Sequence, residues 1–133
     1  MIKYMLDTNI CIYIIKKTPQ KVIDKFKNIK LGEIGISSIT YCELQYGVAN
    51  SKMKKENQDA LNEFLTPLNI LDYPGDAAHT YGEIRAKLKK IGDRIGQLDL
   101  LISTHAVHIN ATLITNNINE FNKIENLKIE NWV

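Results

Sequence analysis

The sequence predicts an α/β fold: a short, mostly parallel sheet covered by helices on both faces. Two observations carry this. Strand-like apolar runs alternate with helix-like amphipathic stretches along the whole chain, and polar residues suited to binding follow the strands directly, as they do where ligands meet open sheets of this kind.

The elements follow in order. Ile2 to Leu6 reads as a short buried strand, and Thr8 or Asn9 can cap a helix over Ile10 to Lys16. Pro19 opens the next helix, with Val22, Ile23 and Phe26 on one face. Gly32 breaks it, and Ile34-Gly35-Ile36-Ser37 forms a second strand. A third helix runs from Thr40 to Ala49 with Tyr41, Leu44 and Val48 inward. A lysine-rich turn leads to a fourth helix carrying Leu61, Phe64 and Leu65, and Asn69 to Asp72 forms a strand. Pro74-Gly75-Asp76 opens a long helix reaching Ile91, and Gly92 and Gly96 bracket a loop. A sixth helix spans Leu98 to Ile109, Ala111 to Thr115 is a buried strand, and a helical turn at Glu120-Phe121 precedes a last strand over Leu127 to Ile129.

At 133 residues, the span 1–133 reads as a single domain with a real core. Apolar residues make up 44% and charged residues 24%, an ordinary globular composition. The longest apolar stretch, Ile10 to Ile15, is far below the ~20 residues of a membrane span. No leader-like segment opens the chain, so a cytoplasmic protein without membrane partners is expected. Cys11 and Cys42 lack metal or redox spacing and read as buried thiols. Lysines cluster at 16–17, 52–55 and 85–90, so a net charge of only +2 conceals basic surface that would suit a phosphodiester beside an acidic pocket, or simply solvated helix faces.

Three carboxylates stand out. Asp7 ends the first strand, Glu43 comes soon after the second, and Asp99 opens the sixth helix. Singly, each has an ordinary explanation: an Asx turn for Asp7, a capping box Thr40-x-x-Glu43, a helix-dipole partner for Asp99. Jointly they lie near one strand-end rim. Two such charges about 4 Å apart cost about 4 kcal/mol at an effective dielectric near 20, so at least one raised carboxyl pKa and a divalent cation are expected. His79, His105 and His108 show no ligand spacing and read as core or surface histidines. Trp132 packs the last strand.

The segments Met5-Leu6-Asp7-Thr8-Asn9, Ser37-Ser38-Ile39-Thr40-x-x-Glu43-Leu44-x-Tyr46-Gly47, Ile95-Gly96-x-x-Asp99-Leu100-Leu101-Ile102 and Ala111 to Asn117 with Glu120-Phe121 resemble PIN-domain ribonucleases, across essentially the whole chain. More narrowly they resemble the VapC toxins, in the branch that cuts initiator tRNA. The resemblance implies a three-layer α/β/α fold and endoribonuclease activity dependent on Mg²⁺ or Mn²⁺, leaving a 5′-phosphate and a 3′-hydroxyl. It also implies a homodimer, and neutralisation by a small VapB-type antitoxin that can carry the complex onto operator DNA. Asp7, Glu43 and Asp99 match the family acids, with Asp7 and Asp99 as metal ligands. Many relatives carry Asp where Asn117 stands; Glu120 takes over that role or caps the short helix. The acidic pocket invites an antitoxin Arg or Lys, with Ile12, Ile15 and Leu44 flanking its path.

Other readings are a nuclease acting on ribosomal or messenger RNA, a haloacid-dehalogenase-like phosphatase, and a non-catalytic RNA-binding module. The phosphatase needs a second Asp where Asn9 stands, and the module needs aromatics on an open sheet face.

Overall fold

A computed structural model describes residues 1–133. Five strands run parallel in the order β3-β2-β1-β4-β5: β1 Tyr4–Leu6, β2 Ile34–Ser37, β3 Asn69–Leu71, β4 Thr112–Ile114 and β5 Lys128–Glu130. The helices are α1 Thr8–Lys16, α2 Gln20–Lys27, α3 Ser38–Ala49, α4 Lys54–Leu65, α5 Ala78–Lys90, α6 Gln97–Ile109 and α7 Ile118–Phe121. Single 3₁₀ turns precede β2 and α5. The predicted α/β class holds, with every strand pair parallel.

Alternation along the strands divides the core. Leu6, Ile34, Ile36 and Ile114 face α1, α2 and α4, while Met5 and Leu113 face α6 and α7. Both faces being covered explains why the strands read as continuous apolar runs. It also leaves no open sheet face for an aromatic RNA-binding platform. Gly35 is needed where it stands: a Cβ there would lie 3.1 Å from Leu71 Cδ1 and 3.2 Å from the Asn69 carbonyl oxygen. Trp132 is fully buried, its ring 6.2 Å from that of Tyr4, and so holds the chain end against the first strand.

Several local expectations are corrected. Asp7 itself, rather than Thr8 or Asn9, caps α1, its Oδ1 accepting from Ile10 N at 2.9 Å. Helix α3 starts earlier than Thr40: Ser37 is the cap, its Oγ accepting from Ile39 N at 3.1 Å. The capping-box explanation of Glu43 therefore fails. Cys11 is buried, but Cys42 is exposed. It sits two residues from the inward Leu44, about 200° around the helix. No helix is long and apolar enough to cross a membrane.

The topology sets up the site. From β1 the chain builds outward to β2 and β3, then returns to β1's other edge with β4 and β5. The carboxyl ends of β1 and β4 lie side by side where the winding reverses, the usual location of a ligand crevice in open α/β sheets.

Candidate active site

Each carboxylate reaches this crevice by a separate local device. Asp7 is held where β1 turns into α1, only 5% exposed, by its capping bond to Ile10, with the Thr115 side chain just beyond β4 also favouring its charged form. Glu43, on the second turn of α3, accepts a hydrogen bond from Thr8 Oγ1 at 2.5 Å. Asp99 lies in the first turn of α6, where the helix dipole favours its charge. Glu120 sits on α7 and accepts from Gly96 N at 3.3 Å and from Asn117 Nδ2.

The four acids sense one another. Burial pushes the Asp7 carboxyl upward, Glu43's charge adds to the rise, and the Thr115 side chain and the Ile10 N–H only partly offset it. Asp99 is pushed up to about 6, first by burial, then by the charges of Glu120, Glu43 and Asp7, and by a hydrogen bond shared with Glu120. The raised carboxyl expected of a converging cluster is present. Of the sequence candidates, Asp7, Glu43 and Glu120 all lie near enough to Asp99 for their charges to act on its carboxyl. Asn117 and Glu120 are linked: the Asn117 amide N–H donates to the Glu120 carboxylate.

The donors fit a hard cation. They are all oxygen, with no imidazole or thiolate among them, as Mg²⁺ and Mn²⁺ prefer. No three acidic, histidine or cysteine side chains stand close enough together to hold a metal ion by themselves. An ion here would take one or two of the carboxylates and keep water in its remaining positions, as Mg²⁺ commonly does.

His105 points elsewhere. It is 1% exposed, its Nδ1 is 2.8 Å from Ser37 Oγ, and the Tyr73 ring meets it edge-on at 5.4 Å. Burial lowers its pKa to about 4, with the neighbouring His108 adding to the shift. It is a core histidine. Asn9, where a phosphatase would need its acid, is exposed on the outside of α1.

Three polar supports were not singled out from sequence: the Thr8 hydroxyl, the Thr115 hydroxyl and the Gly96 N–H. Thr8 and Thr115 each carry a sequence signal, a hydroxyl residue at the end of a strand whose neighbour or facing loop bears an acid. The Gly96 N–H carries none, because a backbone donor leaves no mark on residue type.

The PIN-domain family model matches residues 4–127 of this chain. The ribonuclease VapC2 of Rickettsia felis is 50% identical over 130 residues, covering 97% of each chain. The tRNA(fMet)-specific endonuclease VapC of Shigella flexneri is 40% identical over 132 residues, covering 99% of each. Among solved structures, the VapBC2 complex of R. felis bound to a DNA fragment from its promoter contains a chain that superposes with a TM-score of 0.91 at 49% identity, with 100% of both chains covered.

Proposed function

The chain belongs to the PIN-domain family, in its VapC group, and on that premise we propose that it is a toxin endoribonuclease whose acidic crevice hydrolyses RNA phosphodiester bonds with Mg²⁺ or Mn²⁺. One observation carries the proposal: four carboxylates from four separate segments act on one another, and Asp99 among them has its carboxyl raised to about 6 by burial and then by the charges of the other three. Such a cluster costs folding free energy unless it serves to bind positive charge.

Asp7 and Asp99 would hold the ion. When bound, it offsets the charge that builds on the phosphate and makes the attacking water more acidic. Glu43 orients that water and takes its proton. One of its oxygens accepts from Thr8, which leaves the other free for the water. Glu120, fixed by Asn117 and the Gly96 N–H, holds the fourth side of the crevice. The water attacks phosphorus, the bond to the 3′-oxygen breaks, that oxygen takes a proton from solvent, and the products carry a 5′-phosphate and a 3′-hydroxyl. Residues 1–133 act as one catalytic unit.

The substrate favoured is initiator tRNA, cut in its anticodon stem-loop, on the strength of the relative specific for tRNA(fMet). The protein acts in the cytoplasm, as a homodimer. A VapB-type antitoxin neutralises it and carries the complex onto operator DNA, as the promoter-bound R. felis complex suggests. A groove supports this partner: Ile12, Ile15, Leu44, Val48 and Leu61 line about 240 Å³ that opens onto Glu43. An amphipathic antitoxin segment would fill it with apolar side chains and present a basic one to the carboxylates.

The test is cleavage of initiator tRNA, ribosomal RNA and messenger RNA by purified protein, with Mg²⁺, with Mn²⁺ and with a chelator, followed by mapping of the RNA ends. Metal-dependent cuts confined to the tRNA anticodon loop are expected. Cleavage that survives chelation, or that requires none of Asp7, Glu43 and Asp99, would overturn the mechanism.

A further inference from the structure

An acidic crevice repels the polyanion it must cut, and this chain carries only two more basic than acidic residues. Whatever holds the RNA against that repulsion has to be local. A cleft of about 380 Å³ lies along the end of α5, lined by Ile84, Leu88 and Ile91 together with Lys87, Lys90, Lys123 and the single acid Glu125. Arg94 lines a small recess next to it, together with Asp93, Lys123 and the crevice acid Glu120. The loop from Ile91 to Gly96 joins the two places. Lys123 Nζ binds Asp93 Oδ1 at 2.8 Å near one end, and Gly96 N donates to Glu120 at 3.3 Å at the other.

The cations here are only partly satisfied. Lys87 pairs with Glu125 at 3.2 Å and Lys123 with Asp93, both on the surface, where such pairs exchange readily. Lys90 and Arg94 are exposed and have no carboxylate partner among the ion pairs. Ile91 is 71% exposed, a large aliphatic side chain standing open between ammonium groups.

We propose that this cleft and recess grip the RNA backbone to one side of the scissile bond. Lys90 and Arg94 contact phosphates, Lys87 and Lys123 exchange a carboxylate for a phosphate, and Ile91 packs a ribose or an unstacked base. The proposal rests on the ribonuclease reading above and names the surface that positions the substrate. An acidic polypeptide would also meet lysines, but the cleft's continuity with the carboxylate crevice, where the phosphodiester must lie, favours RNA.

The experiment titrates a fluorescent RNA stem-loop into the full-length Asp7→Asn protein over a range of salt concentrations. It is repeated with Lys90→Gln/Arg94→Gln added, and with Lys25→Gln/Lys27→Gln on α2 as a charge-matched control. The cleft pair should weaken binding at least about tenfold and lower the log–log salt slope by roughly 1.5, at ~0.7–0.9 per lost phosphate contact. The control pair should change affinity less than about twofold, and Lys90→Arg/Arg94→Lys should keep most of the affinity. Cleft and control pairs of equal affinity would overturn the proposal. So would lost affinity with an unchanged salt slope, or, in a parallel titration with polyglutamate, a loss confined to that acidic polypeptide while RNA binding is kept. A wild-type protein that cuts no RNA with either ion defeats the ribonuclease reading itself, whereas an active one whose cleft pair binds like the control defeats only this proposal.

Discussion

Asp99 is where function and stability pull apart most clearly. Its folded-state pKa of about 6 stands above the ordinary 3.8, so folding favours its protonated form. The associated stability is present below pH 3.8 and is lost as pH rises through about 6. At neutral pH the metal-free protein bears the whole cost. Asp99→Asn should therefore raise the melting temperature of chelator-treated protein by a few degrees at pH 7, about 1–2 kcal/mol after solvent screening of this half-buried group. The gain should fade towards pH 4, while cleavage falls at least about a hundred-fold. A variant that melts lower at pH 7 would show that Asp99 is a structural anchor. Thr8 gives a second test at this scale. It holds Glu43 without any need to touch substrate, so Thr8→Val should cut kcat roughly 10–100-fold, the usual cost of losing an orienting partner, with little change in melting temperature. Unchanged kcat would remove Glu43's orientation from the mechanism.

Among the elements, the junction of β2, α3 and α6 concentrates polar groups in the core. Ser37 caps α3 and also meets His105 from α6. His105 has a folded pKa of about 4, below the ordinary 6.5, so it enters the core neutral. The stability this contributes is complete above pH 6.5 and lost as pH falls towards 4, by about 3 kcal/mol in all. Urea unfolding should show this decline in the wild type and a flatter profile in His105→Gln. Ser37→Ala should cost about 2 kcal/mol, from the lost cap and the partner left unpaired on His105. Element existence was legible because short buried strands and amphipathic helices leave different apolar periods. Helix starts were not. In Asp7-Thr8-Asn9 and in Ser37-Ser38-Ile39-Thr40, several adjacent residues can cap, and the choice falls to tertiary packing that composition does not record. Cys42 was misplaced for a related reason: its apolar neighbours in sequence lie on the opposite side of the helix.

For the whole molecule, the site was legible because its parts follow strand ends, and a parallel sheet gathers strand ends at one edge. Asp7 after β1 and Asn116-Asn117 after β4 could be placed on one rim without coordinates. The relation of Glu120 to Asn117 could not, because residues three apart in a short turn can exchange roles, and only the folded turn shows the Asn117 amide bound to the Glu120 carboxylate. The same gathering makes a claim about the protein as a thermodynamic unit. An ion bound only by the folded state adds RT ln(1 + [L]/Kd) to its stability, about 2.7 kcal/mol at a hundred times Kd. Relief of carboxylate repulsion is part of that affinity. Saturating Mg²⁺ or Mn²⁺ should thus raise the wild-type melting temperature by several degrees at low ionic strength, in a scan against chelator-treated protein. The shift should shrink strongly in Asp7→Asn, whose cap on α1 an asparagine can still provide. Equal shifts in wild type and variant would mean that the ion binds elsewhere, and that the four acids converge for a reason other than holding it.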